Sequence, residues 1–185
     1  LDNTVPVVNF TTITPVNGIT DLNAWRNFDF NAVFNANDAT AGIASLQYNL
    51  NNSGYVNSTN LAQALVEVKT EGENTILVRA IDRAGNQTDI NAKVHLDKTK
   101  PVLSNEVPVN NSFTNKTDSN ISVNIADALS GLVNGSLRMV VNGTSFSFGN
   151  SRIDFTNGVL ILIRYSWPHG AVVNIQAFAR DNAGN

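Results

Sequence analysis

The sequence predicts an all-β protein built from two tandem β-sandwich domains. Four short signals occur twice in the same order, about 95 residues apart, and an internal repeat of this length defines one structural module. Between turns rich in Asn, Gly, Ser and Pro lie short runs in which apolar and polar residues alternate, which is typical of half-buried strands. We therefore expect one sandwich over residues 1–96 and a second over residues 97–185.

The repeat is visible directly in the sequence. Its shifts vary between 89 and 99 residues, which indicates one module with loops of different length. The repeated signals are Asp2-Asn-Thr-Val-Pro6 with Asp97-Lys-Thr-Lys-Pro101, Pro15-Val16-Asn17 with Pro108-Val109-Asn110, Asp38-Ala-Thr-Ala-Gly42 with Asp127-Ala-Leu-Ser-Gly131, and Ala80-Ile-Asp82-Arg-Ala-Gly-Asn86 with Ala179-Arg-Asp181-Asn-Ala-Gly-Asn185.

About seven strands are expected in each copy, and no segment sustains a helical period. The clearest alternation is Phe28, Phe30, Ala32, Phe34 and Ala36 in the first copy, matched by Ile121, Val123 and Ile125 in the second. Further runs lie at residues 46–50, 65–68, 76–80 and 88–96 and at 137–141, 159–163 and 175–179. Because the chain has no cysteine, each sandwich core must hold by packing alone.

These motifs resemble the tandem immunoglobulin-like repeats of large bacterial adhesins and archaeal cell-surface or surface-layer proteins. The resemblance rests on Asp-x-Thr-x-Pro at each domain start, Asp-x-x-Ser-Gly after the second strand and Ala-x-Asp-x-Ala-Gly-Asn before the last strand, and it covers the whole chain. It implies two immunoglobulin-like β-sandwiches that act as structural or adhesive repeats at a cell surface. Such repeats also serve as spacers in secreted enzymes.

Composition excludes several other classes of function. The net charge is −3, 15% of residues are charged, and no cluster of Lys and Arg with interleaved aromatic residues is present, so nucleic acid is not an expected partner. The sequence contains no run of twenty apolar residues, so a membrane span is not predicted, and a leader sequence is not expected at Leu1. Asparagine supplies 29 of the 185 residues, which fits either an extracellular surface of low charge or a codon bias.

The repeated aspartates are the candidate metal ligands. In a sandwich of this kind the loop after the second strand, the last hairpin and the domain start lie at one end. Three carboxylates held together repel one another unless a hard cation with oxygen ligands neutralises them. The predicted clusters are Asp2, Asp38 and Asp82 at the free end, and Asp97, Asp127 and Asp181 at the junction between copies. The resemblance implies that this cation is calcium, because related repeats often hold calcium and are stiffened by it.

The alternative is that these aspartates only cap turns. Gly85 and Gly184 would then supply a positive φ where one strand reverses into the next, and the Asp and Asn side chains would bind local amides. No cofactor would be required under this interpretation, and stiffness would come from Pro101 and a short linker.

N-glycosylation is a second candidate modification. Nine Asn residues begin Asn-x-Ser/Thr sequences, about twice the number that composition predicts, and chance in an Asn-rich chain remains an alternative. Because a glycan cannot be buried, positions in turns are favoured. The candidate positions are Asn57, Asn110, Asn142, Asn115 and Asn134.

Catalytic and sugar-binding signals are weak, so we expect no enzymatic activity. Neither histidine, His95 or His169, neighbours a recognisable nucleophile, and no phosphate loop or paired-histidine metal motif occurs. The residues Glu67, Glu71 and Glu73 form an acidic corner rather than a glycosidase pair. A carbohydrate-binding module is the alternative function, with Trp25, Tyr55, Tyr165 and Trp167 as candidate stacking faces for cell-surface glycans.

The second copy ends before the strand that closes the first. Residues 88–96 form the expected last strand of the first copy, whereas the second copy stops at Asn185. Either the polypeptide continues, or a strand from an identical subunit completes the sandwich and drives polymerisation. The function that the sequence favours is a non-catalytic extracellular module that contacts neighbouring repeats of the same polypeptide or identical subunits.

Overall fold

Strands make up almost all of the regular structure in the computed structural model, which describes residues 1–15 and 21–185. Val16 and Asn17 of the proline signal lie outside the described residues. The chain forms two compact units, Leu1–Lys98 and Thr99–Asn185. Lys98 belongs to the first unit because its main-chain N–H donates to Glu71 Oε1 over 2.6 Å and its ammonium lies 2.7 Å from Asp29 Oδ1. The unit boundary therefore falls two residues after the predicted position.

The first unit consists of two sheets that face each other across one core. One sheet has the order β1-β3-β6, and the other has the order β2-β8-β7-β4-β5. All pairs are antiparallel except the short β2-β8 pair, which is parallel. The strands are β1 (Val7–Thr14), β2 (Trp25–Arg26), β3 (Phe30–Asn37), β4 (Ile43–Leu50), β5 (Val56–Asn57), β6 (Gln63–Val68), β7 (Gly72–Asp82) and β8 (Gln87–Leu96).

Alternation decides which side chains fill this core. In β7 and β8 every second residue faces inward, so that Ile76 and Val94 are completely buried while their neighbours reach solvent. From the opposing sheet, Phe30 and Phe34 fill the same core. Two details differ from the sequence prediction. Val33 is buried although it alternates with the core-facing positions Ala32 and Phe34, and Phe28 packs against the core from outside the strand.

The second unit repeats the sandwich with fewer pairings. Its sheets have the orders β13-β14-β10-β9 and β12-β11-β15, and all of their pairs are antiparallel. A short 3-10 turn, Asn134–Ser136, precedes β11. The strands are β9 (Val102–Val107), β10 (Asp118–Ala126), β11 (Arg138–Val141), β12 (Thr144–Ser147), β13 (Ile153–Thr156), β14 (Val159–Ser166) and β15 (Ile175–Phe178).

The core of the second unit is smaller than that of the first. Leu137, Met139, Leu160 and Leu162 are at most 1% exposed. Ala179, which the sequence placed in the last strand, follows β15 instead.

The two units confirm the all-β, cysteine-free sandwich class. Within residues 1–15 and 21–185, no helix is long and apolar enough to cross a membrane.

Candidate cation sites

Three aspartates meet at one end of the first unit. Asp2 precedes β1, Asp38 begins the β3-β4 loop and Asp82 ends β7. Each offers a carboxylate oxygen within 4.8 Å of the others. Within residues 1–15 and 21–185, none of the three forms a salt bridge. The fold thus concentrates negative charge where three separate chain segments meet.

The Asp38 loop is shaped by its own side chain. Asp38 Oδ1 accepts hydrogen bonds from the main-chain N–H groups of Thr40, Ala41 and Gly42 over 3.1, 2.7 and 2.9 Å. Gly42 has a φ of 74°, a conformation that favours glycine. All of these loop bonds go to one oxygen, so the other oxygen of the carboxylate takes no part in shaping the loop.

The Asp82 hairpin follows the same principle. Asp82 Oδ1 accepts from the main-chain N–H groups of Ala84 and Asn86, both over 2.8 Å, and Asp82 Oδ2 accepts from the Asn86 side-chain amide over 2.8 Å. Gly85, at a φ of 92°, closes the turn. Burial works to raise the pKa of Asp82, but these hydrogen bonds favour the ionised form more strongly and hold the pKa below its ordinary value. Asp82 is therefore a buried carboxylate that stays charged.

Asp2 provides an oxygen that no group in the described part of the chain engages. Its Oδ1 accepts from the Thr4 main-chain N–H over 2.9 Å, while its Oδ2 is buried and accepts no hydrogen bond from residues 1–15 or 21–185. The Asn86 amide also donates to the main-chain oxygen of Asp2 over 3.2 Å, which ties the first residues to the hairpin. A buried oxygen without a partner is unfavourable unless something compensates it.

The donor set fits a hard divalent cation. Carboxylate and main-chain oxygens are the ligands that calcium prefers, and the three segments supply carboxylates without sulfur or imidazole. A cation here would be held by Asp2, Asp38 and Asp82, and it would neutralise the charge and engage the orphan Asp2 oxygen. Arg83 follows Asp82, and its guanidinium Nη1 would lie 3.7 Å from a Cβ placed at Gly42, so a cationic side chain borders this loop.

The second unit builds the same two loops. Asp127 Oδ1 accepts from the N–H groups of Leu129 and Gly131 over 3.2 and 2.6 Å. Asp181 Oδ1 accepts from Gly184 and Asn185 over 2.7 and 2.8 Å. Their carboxylates offer oxygens within 4.8 Å of each other.

The third predicted member of the second cluster, Asp97, is the residue after β8 and is fully buried at the end of the first unit. Its main-chain N–H donates to the Arg26 oxygen over 2.8 Å. The role of Asp97 as a ligand remains a prediction from the repeat.

The two interpretations of these aspartates are compatible. The hydrogen bonds confirm the turn-capping role, because each loop is held by its own carboxylate, and Gly85 and Gly184 have the expected positive φ, at 92° and 97°. Capping uses mainly one oxygen of each aspartate. A cation would use the charge and oxygen atoms that capping leaves over.

Each aromatic candidate for sugar stacking is in contact with a neighbouring side chain. Trp25 lies against the His95 ring with centroids 5.0 Å apart. Trp167 contacts the second core, and its indole N–H donates to Ser119 Oγ over 2.8 Å. Tyr165 meets Trp167 edge to face at 5.0 Å. Tyr55 is exposed, but the Arg79 guanidinium covers its ring at 4.5 Å.

The acidic corner is paired with cations and main-chain groups. Glu67 lies 2.7 Å from the Lys69 ammonium, and Glu73 lies 2.7 Å from that of Lys93. Glu73 also reaches His95 Nε2 at 3.5 Å. The hydrogen bond from Lys93 lowers the pKa of Glu73 despite the opposing effect of desolvation. These contacts describe a solvated surface network. The other histidine, His169, lies in an exposed turn of the second unit.

The candidate glycosylation positions are all exposed. Asn142 begins the β11-β12 turn with a φ of 47°, and Asn57 lies in the edge strand β5. By contrast, the sequon residue Asn86 uses its amide nitrogen for hydrogen bonds to Asp2 and Asp82. The remaining candidates, Asn110, Asn115 and Asn134, lie in loops or turns of the second unit.

The burial of the Arg26 side chain was not predicted from the sequence. Arg26 is 3% exposed, stacks over the Phe30 ring at 5.1 Å and donates to the main-chain oxygens of Ala24 and Asp21. Burial lowers its pKa, and the Asp21 charge opposes that effect. No repeat marks this position, so no signal in the sequence separated it from surface arginines.

Comparisons with known proteins give similarities of fold. No protein-family model and no curated protein matches the chain. The chain is similar to fibronectin(III)-like modules of Clostridium thermocellum CbhA, at 14% identity and a TM-score of 0.39, over 96% of this chain and 88% of that one. It is also similar to carbohydrate-binding modules of the β-sandwich superfamily, at 11% identity and a TM-score of 0.41, over 97% and 85%.

A third similar structure belongs to a 1.5-MDa bacterial ice-binding adhesin, at 13% identity and a TM-score of 0.37, over 100% of this chain and 62% of that one. Similarity at this level gives no evidence of a shared function.

Proposed function

We propose that this chain is a non-catalytic extracellular module of a larger cell-surface, surface-layer or filament protein, and that calcium stabilises the aspartate-rich end of each repeat. The observation that carries the proposal is the first cluster, where three segments present carboxylates within 4.8 Å and one buried oxygen of Asp2 has no hydrogen-bond partner among the described residues. Neighbouring repeats of the same polypeptide, or identical subunits, are the proposed partners.

The mechanical consequence follows from the position of the ligands. Asp2 lies ahead of β1, whereas Asp38 and Asp82 belong to loops of the folded sandwich. A cation shared by all three would fasten the entering chain to two loops, so that tension on this segment would be borne by ionic bonds. Extracellular modules bind calcium with dissociation constants of about 0.1–1 mM, so an extracellular setting would supply the ion.

A calcium titration of the full chain tests the proposal. We expect the melting temperature to rise with calcium and to return to its starting value with chelator, because an ion that binds only the folded state stabilises it by about 2.7 kcal/mol at a hundred times its dissociation constant. Magnesium at the same concentration is the control, since its smaller octahedral shell suits this donor set less well. An unchanged melting curve at millimolar calcium would refute calcium binding.

The carbohydrate-binding alternative has less support from the side chains. A sugar platform needs exposed aromatic faces, but Trp25 stacks against His95, Trp167 packs against the second core and Arg79 lies over the Tyr55 ring. We expect no saturable binding when the chain is tested on a glycan array. Binding that is lost in Tyr55→Ala would favour the alternative.

A further inference from the structure

Three Asn-Gly pairs lie in the described part of the chain, and all three belong to the second unit. They are Asn134-Gly135, Asn142-Gly143 and Asn157-Gly158, and a further pair at residues 17–18 lies outside that part. In such a pair the main-chain nitrogen of glycine can attack the side-chain carbonyl carbon of asparagine, because glycine has no side chain to hinder the approach. Each pair is therefore a candidate for spontaneous modification.

The reaction converts asparagine into an acidic residue without an enzyme. A bond forms between the glycine nitrogen and the asparagine Cγ, the Cγ–Nδ2 bond breaks, and the glycine N–H proton leaves with the amide group as ammonia. The product is a cyclic succinimide. Water then adds across either of the carbonyl–nitrogen bonds of the ring, which leaves aspartate or, where the side chain becomes part of the main chain, isoaspartate.

The β11-β12 hairpin restrains the first of its two turn residues. Asn142 and Gly143 form this turn, which the Val141–Thr144 pair closes. Asn142 Oδ1 accepts from the Asn174 main-chain N–H over 2.9 Å, and the Asn142 N–H donates to the Asn174 oxygen over 2.9 Å. The attack needs the asparagine side chain and the next peptide group to rotate toward each other, so these bonds oppose it.

The β13-β14 hairpin restrains its own turn through the glycine. Thr156 and Val159 pair on either side of Asn157 and Gly158. The Gly158 oxygen accepts from the Ile125 N–H over 2.7 Å, and a Cβ placed at Gly158 would lie 3.4 Å from the Ile125 oxygen. Because the turn packs against β10, rotation of this peptide group would break the contact with that strand.

The Asn134-Gly135 pair is held less tightly. Both residues are exposed, and they lie in the short 3-10 turn before β11 rather than between paired strands. Within residues 1–15 and 21–185, neither the Asn134 side chain nor the Gly135 N–H makes a hydrogen bond. A Cβ placed at Gly135 would meet nothing within 4 Å. The reacting nitrogen and the asparagine side chain therefore have room to approach each other.

We propose that Asn134 is a site of spontaneous modification in the folded protein, where the Gly135 nitrogen displaces ammonia and water opens the ring to aspartate or isoaspartate. Gly135 and Ser136 line a surface hollow together with Arg138 and Arg180. Within the described residues, neither arginine forms a salt bridge. The modification would add a negative charge beside this hollow and make that surface of the second unit less basic.

Incubation of the unglycosylated full chain at neutral pH, followed by peptide mapping with mass spectrometry, tests the proposal. We expect conversion at Asn134 to be at least about tenfold faster than at Asn142 or Asn157, because the hairpin turns react only after local opening. In isotopically labelled water, the product at position 134 should carry a solvent oxygen. In urea the three pairs should convert at similar rates, since the restraints are then lost.

Gly135→Ala is the matched control. Its methyl group meets open space at an ordinary φ, so the variant should fold like the parent. Conversion at position 134 should nevertheless slow by at least about tenfold, because a Cβ hinders the attacking nitrogen. Equal rates at the three pairs of the folded chain, or faster conversion at Asn142 or Asn157, would overturn the proposal. So would an unmodified Asn134 after the chain in urea has converted, or equal conversion in Gly135→Ala.

Discussion

Asn86 donates a hydrogen bond from its side-chain amide to Asp82 Oδ2 over 2.8 Å, and the same amide reaches the main-chain oxygen of Asp2 over 3.2 Å. Asn185 repeats the first of these bonds in the second unit, to Asp181 Oδ2 over 2.9 Å. The last Asn of each Asp-x-Ala-Gly-Asn hairpin therefore orients the buried carboxylate of that hairpin. This contact makes Asp82 a fixed, ionised neighbour of Asp2 and Asp38.

Two substitutions of Asp38 separate turn capping from cation binding. Asp38→Asn keeps an oxygen that can accept the three loop N–H groups but removes a charge, so we expect the calcium response of the first unit to be lost, that of the second unit to remain, and the melting temperature in chelator to stay equal or rise. Asp38→Ala removes the acceptor and should cost about 1–3 kcal/mol with or without calcium. Thermal melts of both variants, with and without calcium, measure this. A full calcium response in Asp38→Asn would contradict the cation role of this charge.

Acid should destabilise the first unit through Asp82. The folded-state pKa of Asp82 is lower than its unfolded-state value, so its contribution to stability is present above the ordinary carboxyl pKa of about 3.9 and is lost as the pH falls through the folded-state pKa. Urea unfolding between pH 5 and pH 2, in chelator, measures the free energy of unfolding. We expect Asp82→Asn to have a shallower pH dependence than the parent chain, and an unchanged slope would argue against a depressed pKa.

Glycines of the second unit test the backbone geometry of the loops. Gly131 has a φ of 75°, and its nearest foreign atom lies 3.6 Å from a Cβ placed there, so Gly131→Ala should cost about 1–2 kcal/mol from backbone strain alone. Gly135 has an ordinary φ and open space around a Cβ, so Gly135→Ala should change stability by about 0.5 kcal/mol or less. Chemical denaturation of both variants provides the comparison, and equal effects would contradict the strain argument.

A matched pair of leucines tests the register of the first sandwich. Leu46 is 1% exposed, and Leu65 is 47% exposed. Leu46→Ala should cost about 2–5 kcal/mol because it leaves a cavity, while Leu65→Ala should cost about 0.5 kcal/mol or less. Similar losses, measured by denaturant unfolding, would mean that the strand faces are assigned wrongly.

Glycan mapping of native material tests the exposed sequons. We expect any glycans at Asn57, Asn110, Asn115, Asn134 or Asn142, all of which are exposed. Asn86 should remain unmodified, because a glycan on its amide nitrogen would displace the bonds to Asp2 and Asp82. Site-resolved mass spectrometry measures occupancy, and a modified Asn86 would be incompatible with this loop structure.

The strands could be predicted because their information is local. Period-two alternation over residues such as Ile76, Val78 and Ala80 requires one face to be buried, whatever the rest of the chain does. The repeated aspartates could be predicted because the same motif occurs twice and sandwich topology brings its loops to one end. Arg26 could not be predicted, since its burial depends on Phe30 and on the main chain at Asp21 and Ala24.

The sequence by itself determined the duplication, the all-β class and the residues of the aspartate loops, because alternation and turn chemistry act over a few neighbouring residues. Only the tertiary structure decided which oxygen of each aspartate caps a loop, that Asp2 Oδ2 has no hydrogen-bond partner in the described part of the chain, and that Leu103 is exposed where Val8 is buried. These properties arise from distances between segments far apart in the chain. Local sequence patterns do not encode such distances, and packing sets them.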